Sequence, residues 1–237
     1  MDEHVINKKH YVYNYETERQ KKVWALIILT LSLFIFFLTI IGFTDGLSQM
    51  VALFLENKLG FTNKWSYTYG PEWWVDTNKD IAALGGKVIL LIFTLILIGY
   101  FTIRKKQRRL WKFIFIFFGG AAIMTIFKII FAEELPYEPV QFVTTTISSY
   151  PSGHTTMGTL FYLTLAVYIS RAQHSLKTKR FTLIAGAVLV ILIGFSRFLI
   201  GKHTVTEVLA GWSLALVWLC FCWFLDIYIK RKRVELS

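Results

Sequence analysis

Apolar residues run along this chain in long blocks parted by short polar stretches. The blocks cover residues 24–43, 81–103, 110–131, 154–170, 181–200 and 205–229. About 20 residues at 1.5 Å rise cross the ~30 Å hydrocarbon layer of a bilayer, and every block is near that length. The first block is longer than a signal-peptide core, and no small-residue cleavage site follows it, so it reads as an uncleaved span. The pattern predicts an all-α, polytopic membrane bundle of six transmembrane helices. Between the first two blocks, Leu47, Met50, Val51, Phe54, Leu55 and Leu59 recur at helical spacing, and Gly60 is placed to stop the run. That predicts a short amphipathic helix lying in the interface. Trp65, Tyr67, Tyr69, Trp73 and Trp74 follow it around Gly70 and Pro71. Such aromatics serve interface anchoring more often than substrate recognition. The expected organisation is a cytoplasmic N-terminal segment (1–23), one six-span unit (24–229) and a basic cytoplasmic tail (230–237).

Composition agrees with this pattern. Of the 237 residues 55% are hydrophobic and only 17% charged, against about 25% charged in ordinary soluble domains. The net charge of +11 could point to nucleic acid. Its distribution points instead to topology. The segment before the first span, the turns at 104–112 and 171–180, and the tail from Lys230 hold 19 of the 26 Lys and Arg residues. In a six-span arrangement all four regions share one side, which the positive-inside rule makes cytoplasmic. Both termini are then inside, and no nucleic-acid partner is expected. Cys220 and Cys222 lie on different faces of one span and are not expected to pair.

With this topology, polar residues of unusual chemistry collect at the outer ends of spans three to six: Lys128, then Ser152, Gly153 and His154, then Ser196 and Arg197, then Lys202, His203 and Glu207. Taken singly, each has an ordinary explanation. A lysine at a span end snorkels to the interface, a lone histidine there is usually structural, and a glycine makes a turn. Gathered on one face they suit phosphoryl chemistry. Lys128 and Arg197 can hold a phosphate by charge-assisted hydrogen bonds. Ser152, Gly153 and the free N–H groups opening span four form an anion site. His203 and Glu207, at i and i+4, are expected on one side of a helix, the acid fixing the imidazole tautomer so that the other nitrogen can attack phosphorus. His154 is then available as general acid.

At these residues the chain resembles the type 2 phosphatidic acid phosphatase superfamily. P-S-G-H at 151–154 and S-R-x5-H-x3-acid from Ser196 to Glu207 look like that family's second and third motifs, and Lys128-x6-Leu135-Pro136 matches its first motif, K-x6-R-P, in part. The resemblance covers a core of about 80 residues, 128–207. It implies an integral membrane lipid phosphatase without metal or other cofactor, acting on a lipid phosphate at the outer leaflet. Candidates are phosphatidic acid, phosphatidylglycerol phosphate, a polyprenyl diphosphate or a phosphorylated glycolipid. His203 would form a phosphohistidine, Glu207 would orient it, and His154 would serve the leaving group and then water. Lys128, Ser152, Gly153 and Arg197 would bind phosphate. Two residues depart from the family: Leu135 replaces an arginine, and Glu207 replaces an aspartate. Lys202, beside His203, is a candidate replacement for the lost cation, while Glu133 and Glu134 make the entrance less welcoming to anions. A phosphotransferase of the same superfamily and a decayed lipid-binding protein are the alternatives.

Overall fold

A computed structural model of the chain describes residues 3–63, 68–131 and 149–235. Leu135, Pro136, Glu133, Glu134, Trp65 and Tyr67 lie outside the described residues. The helices are α1 (Glu3–Ile40), α2 (Asp45–Leu59), α3 (Glu72–Ala83), α4 (Lys87–Ile103), α5 (Gln107–Ile130), α6 (Gly153–Ala172), α7 (Leu176–Leu199) and α8 (Val205–Glu235). A two-stranded antiparallel hairpin, β1 (Phe61–Asn63) with β2 (Thr68–Tyr69), joins α2 to α3.

Five stretches of the described residues are long and apolar enough to cross a membrane: Arg19–Ile40, Glu72–Ile103, Gln107–Ile130, Leu176–Leu199 and Val205–Lys232. Their outward surfaces carry large apolar side chains, among them Leu31, Phe34, Leu95, Ile126 and Ile184, as lipid-facing helices must. The chain is a multi-pass membrane protein built as a helical bundle. The sixth expected crossing, α6, has 20 residues but is too polar to qualify on composition. Its position explains this. It packs against α4, α5, α7 and α8, and Thr155, Thr156, Thr159 and Thr164 are all buried on it. Three of these hydroxyls are hydrogen-bonded: Thr156 and Thr159 donate to the carbonyls of Ser152 and Thr155 one turn back, and Thr155 donates to Ser152 Oγ. A helix sheltered by the bundle tolerates such residues where a lipid-facing one does not.

Other boundaries differ from the sequence expectation. The first apolar block is the C-terminal half of a 38-residue helix that begins in the polar N-terminal segment. The second block is not one span from residue 81. A helix starts at Glu72, breaks at Leu84-Gly85-Gly86 and resumes as α4. The break has a packing reason: a Cβ on Gly85 would lie 2.9 Å from His154 O and 2.7 Å from Ile193 Cγ2. The interfacial helix occurs as expected, ended by Gly60 at φ 67°. Ser48 is buried and Val51, Ala52 and Leu55 are half-buried, while Leu47, Met50 and Phe54 are exposed. Trp73 is 67% exposed, in keeping with anchoring, whereas Tyr69 is buried against Phe198 with ring centroids 5.8 Å apart. Cys220 and Cys222 are buried free thiols.

The most extensive helix contact joins α6 to α7. It depends on small residues, with the Cβ position of Gly186 only 2.7 Å from Ala166 Cβ. Gly186→Ala is therefore expected to overpack this seam by about 1–3 kcal/mol. The measurement is thermal unfolding in detergent. Gly99→Ala, where nothing lies within 4 Å of the added methyl, should leave the midpoint unchanged or raise it slightly.

Candidate active site

Four short segments meet at one end of the bundle: the last turn of α5, the start of α6, the last turn of α7 with the loop after it, and the start of α8. The key acid is Glu207. His203 Nδ1 lies 2.8 Å from its Oε2, and the two side chains are 10% and 14% exposed. His203 is not on α8, as i, i+4 spacing on one helix would have it. It sits in the loop before Thr204, and α8 starts at Val205. The contact comes from a capping box instead. Thr204 N–H donates to Glu207 Oε2 at 3.0 Å, and Glu207 N–H donates to Thr204 Oγ1 at 3.2 Å. Glu207 thus closes the helix start and reaches back to hold the imidazole in the same conformation. Ser149 Oγ donates to its other oxygen, Oε1.

The start of α6 is tied to the same residue through the backbone, since Ser152 N–H donates to Glu207 O at 3.1 Å. Ser152 is fully buried and is the N-cap of α6, yet its side chain makes no capping bond. Its Oγ accepts from Thr155 Oγ1 at 2.9 Å, which leaves the Ser152 hydroxyl proton and the first N–H groups of α6 available to an anion. Lys128, in the last turn of α5, donates to Ser149 O at 3.3 Å and attracts Glu207 electrostatically. A Cβ on Gly153 would lie 3.7 Å from Lys128 Cε, so the lysine stem runs alongside the helix start.

Arg197 closes the ring from α7. Its carbonyl accepts from the backbone of both Lys202 and His203, at 3.1 and 3.2 Å, which folds the α7–α8 loop over it. The guanidinium interacts electrostatically with His154. Its Nε is buried with no hydrogen-bond partner among the described residues. An orphaned buried donor of this kind costs about 1–3 kcal/mol, a cost that an anionic ligand would remove. His154 also interacts electrostatically with His203. Lys128, Ser152, Gly153, His154, Arg197, His203 and Glu207 therefore come together as expected.

Lys202 is exposed, and only its backbone is tied to the site among the described residues. Lys87 is a further cation that the sequence reading missed. It opens α4 just past the Gly85–Gly86 break and interacts electrostatically with both Lys128 and His154. No motif carries it. The signal available was a lysine beginning an apolar block after two glycines.

A second polar knot supports the start of α8. Thr206 Oγ1 donates to Asp45 Oδ1 at 2.9 Å and accepts from Thr44 Oγ1 at 3.0 Å. Thr206 N–H donates to Ser48 Oγ at 3.0 Å. These bonds fix α2 against the helix turn that carries Glu207.

The PAP2 superfamily model matches residues 109–230, which takes in every site residue except Lys87. Among curated proteins, phosphatidylglycerophosphatase B of Bacillus subtilis (strain 168) is 29% identical over 163 residues, covering 68% of this chain and 79% of that protein. Among solved structures, the crystal structure of a transmembrane PAP2-type phosphatidylglycerolphosphate phosphatase from Bacillus subtilis has a similar fold. It gives a TM-score of 0.65 at 24% identity, covering 86% of this chain and 98% of that one. With motifs, fold and family match in agreement over the same residues, the chain belongs to the PAP2 superfamily as a multi-pass membrane member.

Proposed function

We propose that this protein is a lipid phosphatase that works through a phosphohistidine at His203. The observation that carries this reading is the His203–Glu207 pair, 2.8 Å apart, beside Arg197, whose buried Nε lacks a partner among the described residues. Glu207 accepts the hydrogen bond from Nδ1–H, so the Nε2 lone pair points to the substrate and the developing imidazolium is stabilised. Nε2 attacks phosphorus and the P–O bond to the lipid breaks. His154 gives its proton to the departing oxygen. It then takes a proton from the water that attacks the phosphohistidine, and inorganic phosphate leaves. Lys128, Arg197, Ser152 and the α6 N-terminus carry the charge of the transferring group.

The basic turns at 104–112 and 171–180 are at the end of the bundle opposite the site, and by the positive-inside rule this supports a site on the outer face with both termini in the cytoplasm. A lipid phosphomonoester presented by the outer leaflet is the substrate class. The Bacillus relatives, named for phosphatidylglycerol phosphate, put that lipid first in the panel.

The test is phosphate release from a panel of lipid phosphates by purified protein. His203→Ala is expected to reduce release to background, and acid-labile label from a phosphorus-labelled lipid should appear on the parent protein at His203. Release by His203→Ala at the parent rate would overturn the reading.

Two further variants separate the two roles of Glu207. Glu207→Gln keeps a capping-box side chain and should hold the unfolding midpoint, while turnover falls by about 100-fold or more for want of the charge that orients the imidazole. Thr204→Ala should do the reverse, costing about 1 kcal/mol of stability with a smaller loss of turnover.

Lys87 is the cation we assign to the place of the arginine missing at Leu135. Lys87→Ala should lower kcat/KM about 10-fold, as expected for one hydrogen bond to a charged group, and Lys202→Ala by less. The opposite order would make Lys202 the substitute.

A further inference from the structure

At the end of the bundle away from the histidines, α1, α5, α6, α7 and α8 line a cavity of about 600 Å³ that is open on one side. That volume is in the range of sites that hold a bound organic molecule. Its walls are apolar, with Trp24, Ile28, Phe115, Leu219 and Trp223 among them, and Lys21, Lys112 and Arg171 stand in its lining. About 24 Å of helix rise separates Lys112 from Lys128 along α5, so this cavity is not the phosphate site.

Charge and polarity are sorted along its length. Asp226 is the acid of the lining. It is already engaged by Lys112, by Lys230 at 2.9 Å and by Arg108 at 3.8 Å. Among the described residues of the lining, Lys21, Lys112 and Arg171 stand against the one acid Asp226, so cations outnumber acids at the mouth. Deeper in, Thr164 is 5% exposed and lines the wall, and its hydroxyl has no hydrogen-bond partner among the described residues. A cationic mouth over an apolar shaft matches an anionic amphiphile.

We propose that this cavity binds an anionic glycerophospholipid from the leaflet opposite the active site. Its phosphate lies among Lys21, Lys112 and Arg171, and an acyl chain follows Trp24, Phe115 and Leu219. The lipid bridges α1 to α5, α6 and α8, and so tightens the helices that position Lys128, Ser152 and Glu207 at their other ends. The site is independent of the phosphatase reading.

Full-length protein in phosphatidylcholine nanodiscs, given phosphatidylglycerol with a photoreactive group at mid-chain, tests the proposal. Cross-links are mapped by mass spectrometry. Labelling is expected on the peptides holding Phe115 and Leu219, competed by unlabelled phosphatidylglycerol and not by added phosphatidylcholine. Arg171→Ala and Lys21→Ala should each weaken phosphatidylglycerol competition about 5-fold. Ala25→Phe, which fills the cavity without touching a charge, should abolish labelling while the unfolding midpoint holds. Competition indifferent to head group would mean bulk lipid and overturn the proposal. Labelling that disappears with orthovanadate would mean a substrate tail reaching down from the histidines, and would overturn it equally.

Discussion

A carboxylate at the border of a membrane helix is tolerable only when donors surround it, and Glu207 is where this chain meets that demand. Its oxygens face His203 Nδ1, Thr204 N–H and Ser149 Oγ, while its own backbone binds Thr204 Oγ1 and Ser152 N–H. An unsatisfied charge there would cost several kcal/mol. The groups recruited to satisfy it are the imidazole, the loop before α6 and the cap of α8. Solving the desolvation problem and assembling the site are one event. The glutamate suits this better than an aspartate would, because the reciprocal capping box needs a side chain long enough to reach back from the third helical position to the cap N–H.

From that point the supports run outward. Asp45, Ser48 and Thr44 bind Thr206, one residue before Glu207, so the interfacial helix locks the first turn of α8. This accounts for the burial of Ser48 on a helix that leaves Leu47, Met50 and Phe54 exposed. Gly85 lets the α3–α4 corner approach the backbone of His154, and the same corner delivers Lys87. Motion of the interfacial segment therefore bears on both histidines, through α8 for one and through the corner for the other.

Much of this was legible in the sequence because the relevant signals are local. Apolar blocks of bilayer length located α5 and α6 within a few residues, the membrane part of α1, and the bulk of α4, α7 and α8, and the 3.6 period with Gly60 located α2. Clustering by motif brought Ser152, His154, Arg197, His203 and Glu207 to one end. What escaped depends on tertiary context. The start of α3 looks like a polar connection because its Trp and Asn residues are neither an apolar run nor a clean stripe. The break at Gly85 is imposed by the backbone of His154, far away in sequence. His203 was assigned to a helix from spacing alone, although a Thr three residues before a Glu is a capping signature that excludes it. Lys87 carries no motif and became visible only when α4 was packed against α6.

The polarity of α6 draws these threads together. A helix that must start at a phosphate site needs a free N-terminus, and a fully burdened cap would occupy it. Ser152 therefore leaves the first N–H groups uncapped and passes its own bonding to Thr155 and Thr156. That choice places hydroxyls on a helix of membrane length, and the hydroxyls are affordable only if other helices exclude lipid from every side. The central place of α6, with α4, α5, α7 and α8 around it, follows from the chemistry at its N-terminus as much as from packing. The lipid-facing helices can be read as apolar blocks because they do no chemistry there. α6 opens onto the site with its first N–H groups uncapped, and its burial allows four threonines that lower its hydropathy.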